Sequence, residues 1–127
     1  GGEAVLDAYC GVGLFSHFLA PLAGSITGIE INGPAIQCAR ENLRAAGSDN
    51  AKFFQGDVGE VMKRQFTKKS RPADVVILDP PRSGCDRQVL DAVADAEGLV
   101  VRTYTQVDEE LLSKARRLKV VGRAGVA

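Results

Sequence analysis

Acidic side chains stand where the predicted strands end. Glu30 closes the second predicted strand, Asp57 follows the third, Asp79 follows the fourth, and Asp7 lies near the end of the first. The carboxyl ends of parallel strands lie along one edge of a sheet, where such folds bind their ligands. We therefore expect carboxylates from separate parts of the chain to meet at one crevice, where they can accept hydroxyl groups or bind a cation.

A Gly-x-Gly turn joins the first predicted strand to a helix. Gly11 and Gly13 lie in this turn, which would let the backbone approach a nucleotide-like cofactor at a helix N-terminus. Ser16 replaces the third glycine of the dinucleotide fingerprint, and the alternative is that the glycines only tighten the turn. Asp7 would repel a pyrophosphate but can bind the cationic amino-acid end of S-adenosylmethionine. The loop therefore favours S-adenosylmethionine over NAD.

Apolar runs bounded by turn residues alternate with segments of helical period. This pattern predicts an α/β fold in one domain over residues 1–127, with a doubly wound, mostly parallel, Rossmann-like sheet in a three-layer arrangement. Strands are predicted at about 3–9, 25–31, 51–55, 73–78, 98–103 and 118–123, and helices near 13–22, 34–46, 58–68, 86–96 and 107–117. The second helix is marked by Asn32 as a cap, Pro34 in its first turn and Gly47 after its end.

Four motifs occur in order over residues 3 to about 93: Leu6–Ser16, Gly28–Asn32, Phe54–Asp57 and Leu78–Cys85. Together they resemble the catalytic domain of RNA 5-methyluridine methyltransferases. The resemblance implies that Asp7, Tyr9, Gly11 and Gly13 line the methionine end of the cofactor, that Glu30 binds the ribose and that Asp57 lies at the adenine. By the same resemblance, Asp79 faces the target base.

The sequence departs from that family where its nucleophile belongs. The family uses a cysteine thiolate, in a Ser-Cys-Asn-Pro loop after the fifth strand, to attack C6 of uracil, and a carboxylate base to remove the C5 proton. Here Leu99–Thr105 contains no cysteine, and the family's C-terminal base segment is missing. Cys10 and Cys85 belong to other motifs, and we expect neither to substitute. Asp79 would then be vestigial, and we expect no catalytic turnover.

Three segments close the chain over residues 96–127: Ala96–Thr103, Val107–Leu118 and Lys119–Val126. Together they resemble a strand–helix–strand piece of the substrate domain of a second family, the D-2-hydroxyacid dehydrogenases and phosphoglycerate dehydrogenase in particular. The nicotinamide domain and catalytic histidine of that family are absent, so we expect no dehydrogenase activity. Both ends of the chain look cut. We predict a designed or recombined chimera, with its seam near Ala92–Glu97, which retains a core that binds S-adenosylmethionine weakly.

Two alternatives remain open. The first is a truncated S-adenosylmethionine-dependent RNA (uracil-5-) methyltransferase domain. The second is a non-catalytic RNA-binding module that uses the basic stretch from Lys63 to Arg71. Sixteen basic and sixteen acidic side chains give a net charge of zero, which counts against the second, because no global field attracts nucleic acid.

Composition bounds the remaining possibilities. No apolar run reaches the roughly 18 residues of a membrane span, and the first residues lack the basic-then-apolar layout of a signal peptide, so we expect a cytoplasmic protein that does not contact membrane. Cys10, Cys38 and Cys85 are scattered, which predicts reduced thiols and neither a disulfide framework nor a metal site. We expect no obligatory partner, RNA only under the methyltransferase alternative, and a homodimer if the sixth strand leaves an uncovered sheet edge.

Overall fold

The described strands form one sheet. The computed structural model describes residues 2–66, 73–79, 86–102 and 120–124, with residues 101–102 and 120–124 described by their backbone course alone. The strands are β1 (Ala4–Ala8), β2 (Ser25–Glu30), β3 (Ala51–Gln55), β4 (Val75–Leu78), β5 (Gly98–Arg102) and β6 (Val120–Ala124). Their order is β3-β2-β1-β4-β5-β6, and each pair of neighbours is parallel. The predicted doubly wound α/β fold is confirmed.

Four α-helices connect the described strands: α1 (Leu14–Leu19), α2 (Gly33–Ala45), α3 (Val58–Gln65) and α4 (Arg87–Asp95). The predicted signals of α2 are confirmed. Asn32 caps it by accepting a hydrogen bond of 2.8 Å from the Ala35 backbone N–H, and Pro34 lies in its first turn. Gly47 follows the helix with φ 74°, a left-handed conformation that glycine adopts readily.

Two predicted helix boundaries are wrong. The first helix was predicted to run to about residue 22, but α1 ends at Leu19 and a 3₁₀ turn follows over Ala20–Leu22. Pro21 lies in that turn, and proline cannot donate the next hydrogen bond of an α-helix. The third helix ends at Gln65 rather than 68, because Phe66 is extended with φ −122° and ψ 136°. The helix predicted near 107–117 lies outside the described residues.

Two apolar clusters cover opposite faces of the sheet. Strand residues alternate between the faces, so that Val5 belongs to one cluster and Leu6 to the other. The Val5 cluster joins the sheet to α2 through Ile36, Ala39 and Leu43. The Leu6 cluster joins it to α3 and α4 through Val58, Val61, Met62, Val89, Ala92 and Val93. Burial of each such large side chain contributes about 1.5–3 kcal/mol, and the two clusters give the three-layer architecture.

The strand order locates the ligand-binding edge. The chain runs outward from β1 to β3 on one side and resumes on the other side at β4, so the order reverses between β1 and β4. A crevice opens at such a point beyond the carboxyl ends of the strands. Within the described ranges, no helix has both the length and the apolar character needed to cross a membrane.

Candidate functional site at the carboxyl ends of the central strands

Three of the predicted carboxylates meet beyond β1, β2 and β4. In the sheet, Asp7 lies opposite Gly28 of β2 and Ile77 of β4, so Glu30 and Asp79 follow close beside it. The negative charges of Asp79 and Glu30 both add to the rise in the pKa of Asp7 that burial causes. We call this group of Asp7, Glu30 and Asp79 the acidic crevice.

Asp7 is the buried member of the acidic crevice. Its side chain is 2% exposed, and its Oδ2 accepts a hydrogen bond of 2.7 Å from the Ser16 hydroxyl. Burial, opposed by the hydrogen bonds from Ser16 and assisted by the neighbouring carboxylates, raises the pKa of Asp7 from 3.8 to about 7. Near neutral pH the group is therefore close to its own titration, and a cation placed beside it would favour the charged form.

Glu30 ties the glycine loop to the end of β2. Its Oε1 accepts a hydrogen bond of 3.0 Å from the Gly11 backbone N–H, and its Oε2 accepts one of 2.8 Å from the Asn32 backbone N–H. A carboxylate offers about four acceptor sites, so two remain for hydroxyl groups of a ligand. The two backbone bonds hold the carboxylate in one orientation at the crevice.

The two glycines of the loop serve different purposes. Gly11 has φ 58°, and a Cβ added there would have no atom within 4 Å, so this position opens toward space that a ligand can occupy. Gly13 has φ 80°, and an added Cβ would lie 2.9 Å from Cβ of Ala39 in α2. Gly13 is thus required by packing, as the tight-turn interpretation holds, whereas Gly11 fits a ligand-facing role.

Tyr9 links the glycine loop to α4. It adopts φ 58°, and its hydroxyl donates to Oδ2 of Asp86 and accepts from the Asp86 backbone N–H, both at 2.7 Å. Asp86 is the residue that precedes α4, so Tyr9 satisfies one of the free N–H groups at that helix start. The predicted role of Tyr9 at the methionine end of a cofactor stays a prediction.

Asp57 caps a helix. It follows β3, is exposed, and its Oδ2 accepts a hydrogen bond of 3.1 Å from the Glu60 backbone N–H at the start of α3. This bond leaves acceptor capacity on the carboxylate, so the predicted adenine contact stays a prediction. The structure gives Asp57 a structural role that the sequence interpretation did not assign.

The described cysteines do not offer a nucleophile. Burial raises the pKa of the Cys10 thiol well above its usual range, and the nearby Asp7 and Glu30 raise it further. Cys38 is exposed on α2, away from the crevice, and Cys85 lies outside the described residues. No group of three or more His, Cys, Asp and Glu side chains suited to a metal ion occurs within residues 2–66, 73–79 and 86–100.

Three residues of the crevice were missed as site residues from sequence. Ser16 was noted only as a departure from the glycine fingerprint, yet it is the partner of Asp7. Ile31 follows Glu30 and is 66% exposed, which leaves an apolar side chain at the rim of the crevice. Asp86 lies 77 residues from its partner Tyr9, and no local pattern signals that contact.

Comparisons with known proteins agree on the family. A family model described as "Methyltransferase domain" matches residues 1–117. An uncharacterised RNA methyltransferase of Halalkalibacterium halodurans is 44% identical over 93 residues, which cover 73% of this chain and 20% of that protein. One of Bacillus cereus is 38% identical over 125 residues, which cover 98% of this chain and 26% of that protein. The chain thus spans about a fifth to a quarter of the length of these relatives.

Solved structures share the fold. A tRNA (uracil-54, C5)-methyltransferase from Pyrococcus abyssi, crystallised in complex with S-adenosyl-L-homocysteine, is 32% identical with a TM-score of 0.56. The match covers 74% of this chain and 22% of that one. The YcgJ protein from Bacillus subtilis is 21% identical with a TM-score of 0.58, and the match covers 73% of this chain and 38% of that protein. This likeness shows the fold alone.

The predicted chimera is not supported. The match to the Bacillus cereus protein covers 125 residues and the family model runs to residue 117, so both cross the predicted seam near Ala92–Glu97. Strand–helix–strand units of parallel α/β proteins share one apolar pattern, so a segment of this size does not identify a family. The comparisons do not support the interpretation as a designed protein either, and the alternative of an RNA methyltransferase domain agrees better with them.

Proposed function

Since the chain belongs to the methyltransferase domain family, we propose that it is the S-adenosylmethionine-binding part of an RNA methyltransferase whose target is C5 of uracil. One observation supports the cofactor above all: Asp7 is buried at the carboxyl end of β1 and shares the crevice with Glu30 and Asp79. Negative charges so close together would repel a pyrophosphate and would attract a ligand with ammonium and sulfonium charges.

The chain's own residues fit that cofactor in three places. In this proposal, the open side of Gly11 would admit the backbone of an amino-acid group, and the carboxylate of Asp7 would neutralise its ammonium. Glu30 is oriented to accept two ribose hydroxyls. Ile31 offers an exposed apolar side chain against which a purine can pack. When bound, the cofactor supplies an electrophilic methyl group.

Asp79 is proposed to face the target base. It is half-buried after the central strand β4 and close enough to raise the pKa of Asp7. Attack on C6 of uracil needs a thiolate, and the sequence after β5 contains no cysteine. Cofactor binding is therefore the activity proposed for these 127 residues, and uracil methylation is proposed for a protein in which a cysteine accompanies them.

Calorimetric titration with S-adenosylhomocysteine and with NAD tests this proposal. We expect heat of binding for the first and none for NAD, even though the strand order resembles that of dinucleotide folds. Glu30→Gln should weaken binding by about tenfold or more, because hydrogen bonds to a charged acceptor contribute about 1.5–3 kcal/mol. Asp91→Asn, which removes an exposed charge on α4, is the matched control and should leave affinity unchanged.

The proposal would be overturned by either of two results. One is the absence of binding at millimolar S-adenosylhomocysteine by a chain that unfolds cooperatively on heating. The other is NAD binding as tight as that of S-adenosylhomocysteine. A thermal unfolding scan of Glu30→Gln separates loss of the ligand contact from loss of the loop, because Glu30 also holds Gly11 and Asn32.

A further inference from the structure

An open groove of about 660 Å³ runs between α2 and the edge strand β3. Its floor includes the buried side chains of Leu43 and Phe53, and its walls carry the basic side chains of Arg40, Arg44 and Lys52. Among the described residues, no acidic side chain lines it. We call it the basic groove. The chain has zero net charge, but this groove is positively charged. A local positive charge of this kind favours an anionic ligand.

The groove is separate from the acidic crevice. It includes Gly47, Ser48 and Ala51, which lie in the turn before β3 and at the amino end of that strand. The crevice lies beyond the carboxyl ends of β1, β2 and β4, which are further toward the centre of the sheet. A cofactor bound in the crevice therefore leaves the groove open.

Protection of the sheet edge explains only part of the positive charge. Arg40 donates a hydrogen bond of 2.9 Å from Nη2 to the Phe53 carbonyl, and a lysine on an edge strand such as Lys52 discourages pairing with another chain. Arg44 makes no such contact. In the described part of the chain, neither Arg44 nor Lys52 has an acidic partner. Two cations at the groove are thus available to a ligand.

We propose that the basic groove binds the phosphate backbone of the RNA substrate, an inference that rests on the proposed function. Guanidinium and ammonium groups bind phosphate oxygens without reading sequence. The apolar floor, which includes Leu43 and Phe53, suits ribose and base surfaces between phosphates. The groove holds the RNA at the β3 edge of the domain while the acidic crevice remains free for the cofactor and the target base.

Fluorescence anisotropy of labelled oligouridylate tests the assignment as salt is varied. The double variant Arg44→Gln/Lys52→Gln should weaken binding roughly tenfold near 0.1 M salt and reduce the slope of log affinity against log salt by about 1.4, since each lost phosphate contact contributes about 0.7 for a single strand. Arg40 is kept in this variant because it also bonds the Phe53 carbonyl. The matched control is Arg87→Gln, compared with Arg44→Gln. It removes one exposed cation from α4 on the opposite face and should retain the original slope, whereas Arg44→Gln should reduce the slope by about 0.7.

Equal affinity and slope in the groove variant and the unmodified chain would overturn the proposal, as would an equal loss in the control variant. Displacement of RNA by polyglutamate as effectively as by unlabelled oligouridylate would also overturn it, because the groove would then be a site for acidic peptide. Titration of the same samples with S-adenosylhomocysteine separates the two claims. If the chain binds cofactor but the groove substitutions do not change RNA binding, only the RNA-binding role of the groove is contradicted. If the unmodified chain does not bind cofactor, the proposed function is contradicted.

Discussion

An acidic residue lies at the carboxyl end of both the central strand β1 and the edge strand β3, but the two acids have different surroundings. Asp7 is 2% exposed, is bonded to the Ser16 hydroxyl and has a raised pKa. Asp57 is exposed and caps α3. At β1 the neighbouring charges are carboxylates, whereas Arg40 and Lys52 lie along β3.

This difference shows that position at a strand end does not decide what a carboxylate does. Layers of helix on both faces bury the end of β1, so a charge there costs free energy unless a cation compensates it. The end of β3 has one strand neighbour, and water solvates its acid. A cationic ligand would therefore lower the free energy of the charged acid on the central strand, whereas the solvated acid on the edge strand would gain little from it.

The largest expected effect comes from Asp7→Asn. The pKa of Asp7 is raised on folding from 3.8 to about 7, so its contribution to stability is fully present below pH 4 and is lost as pH rises through 7. The free energy of unfolding should thus fall by about 3 kcal/mol more in the unmodified chain than in Asp7→Asn between pH 5 and pH 8. Urea unfolding at both pH values measures this difference. If the free energy of unfolding depends on pH in the same way in both proteins, the pKa of Asp7 is not raised on folding.

The next largest effect distinguishes Gly13, which is needed for packing, from Gly11, which leaves room for a ligand. Gly13→Ala should lower the free energy of unfolding by about 2 kcal/mol, because the new Cβ meets Ala39 in a left-handed backbone conformation. Gly11→Ala should cost about 1 kcal/mol from backbone strain alone, yet it should weaken S-adenosylhomocysteine binding. Chemical unfolding and calorimetric titration provide the two measurements. Equal stability losses with unchanged affinity would remove the distinction between the glycines.

The smallest effect concerns the end of β3. Asp57→Ala should lower the free energy of unfolding by about 1 kcal/mol through loss of the cap on α3, whereas Asp57→Asn should restore most of it because asparagine also accepts the Glu60 N–H. Thermal unfolding and cofactor titration of both variants make the comparison. A loss of S-adenosylhomocysteine affinity in Asp57→Asn without a loss of stability would show that the acid contacts the adenine, as the sequence resemblance implies.

Sequence reasoning located the crevice because strand ends can be read from apolar runs and turn residues. Asp7, Glu30 and Asp79 lie at the carboxyl ends of β1, β2 and β4, and their roles toward a ligand stay predictions. Sequence reasoning could not find the Ser16 partner of Asp7, because that contact depends on how α1 packs on β1. Arg40 and Arg44 are spaced to share a helix face, but their meeting with Lys52 depends on tertiary packing. The dehydrogenase resemblance of the last quarter has no support in the comparisons, and the strand–helix–strand pattern that suggested it is common to many α/β proteins.

The bond between Tyr9 and Asp86 has a consequence for the order of folding. It joins the glycine loop to a residue 77 positions later, so the loop gains this contact only after β4 and the start of α4 have been added to the sheet. Contacts of such long sequence separation form late, because chain entropy must be overcome first. During synthesis from the N-terminus, the glycine loop can therefore bond Glu30 well before its contact with Asp86 can form. If the proposed function holds, cofactor binding should require assembly of the sheet through α4, and the first strand and helix that carry the motif should not be sufficient.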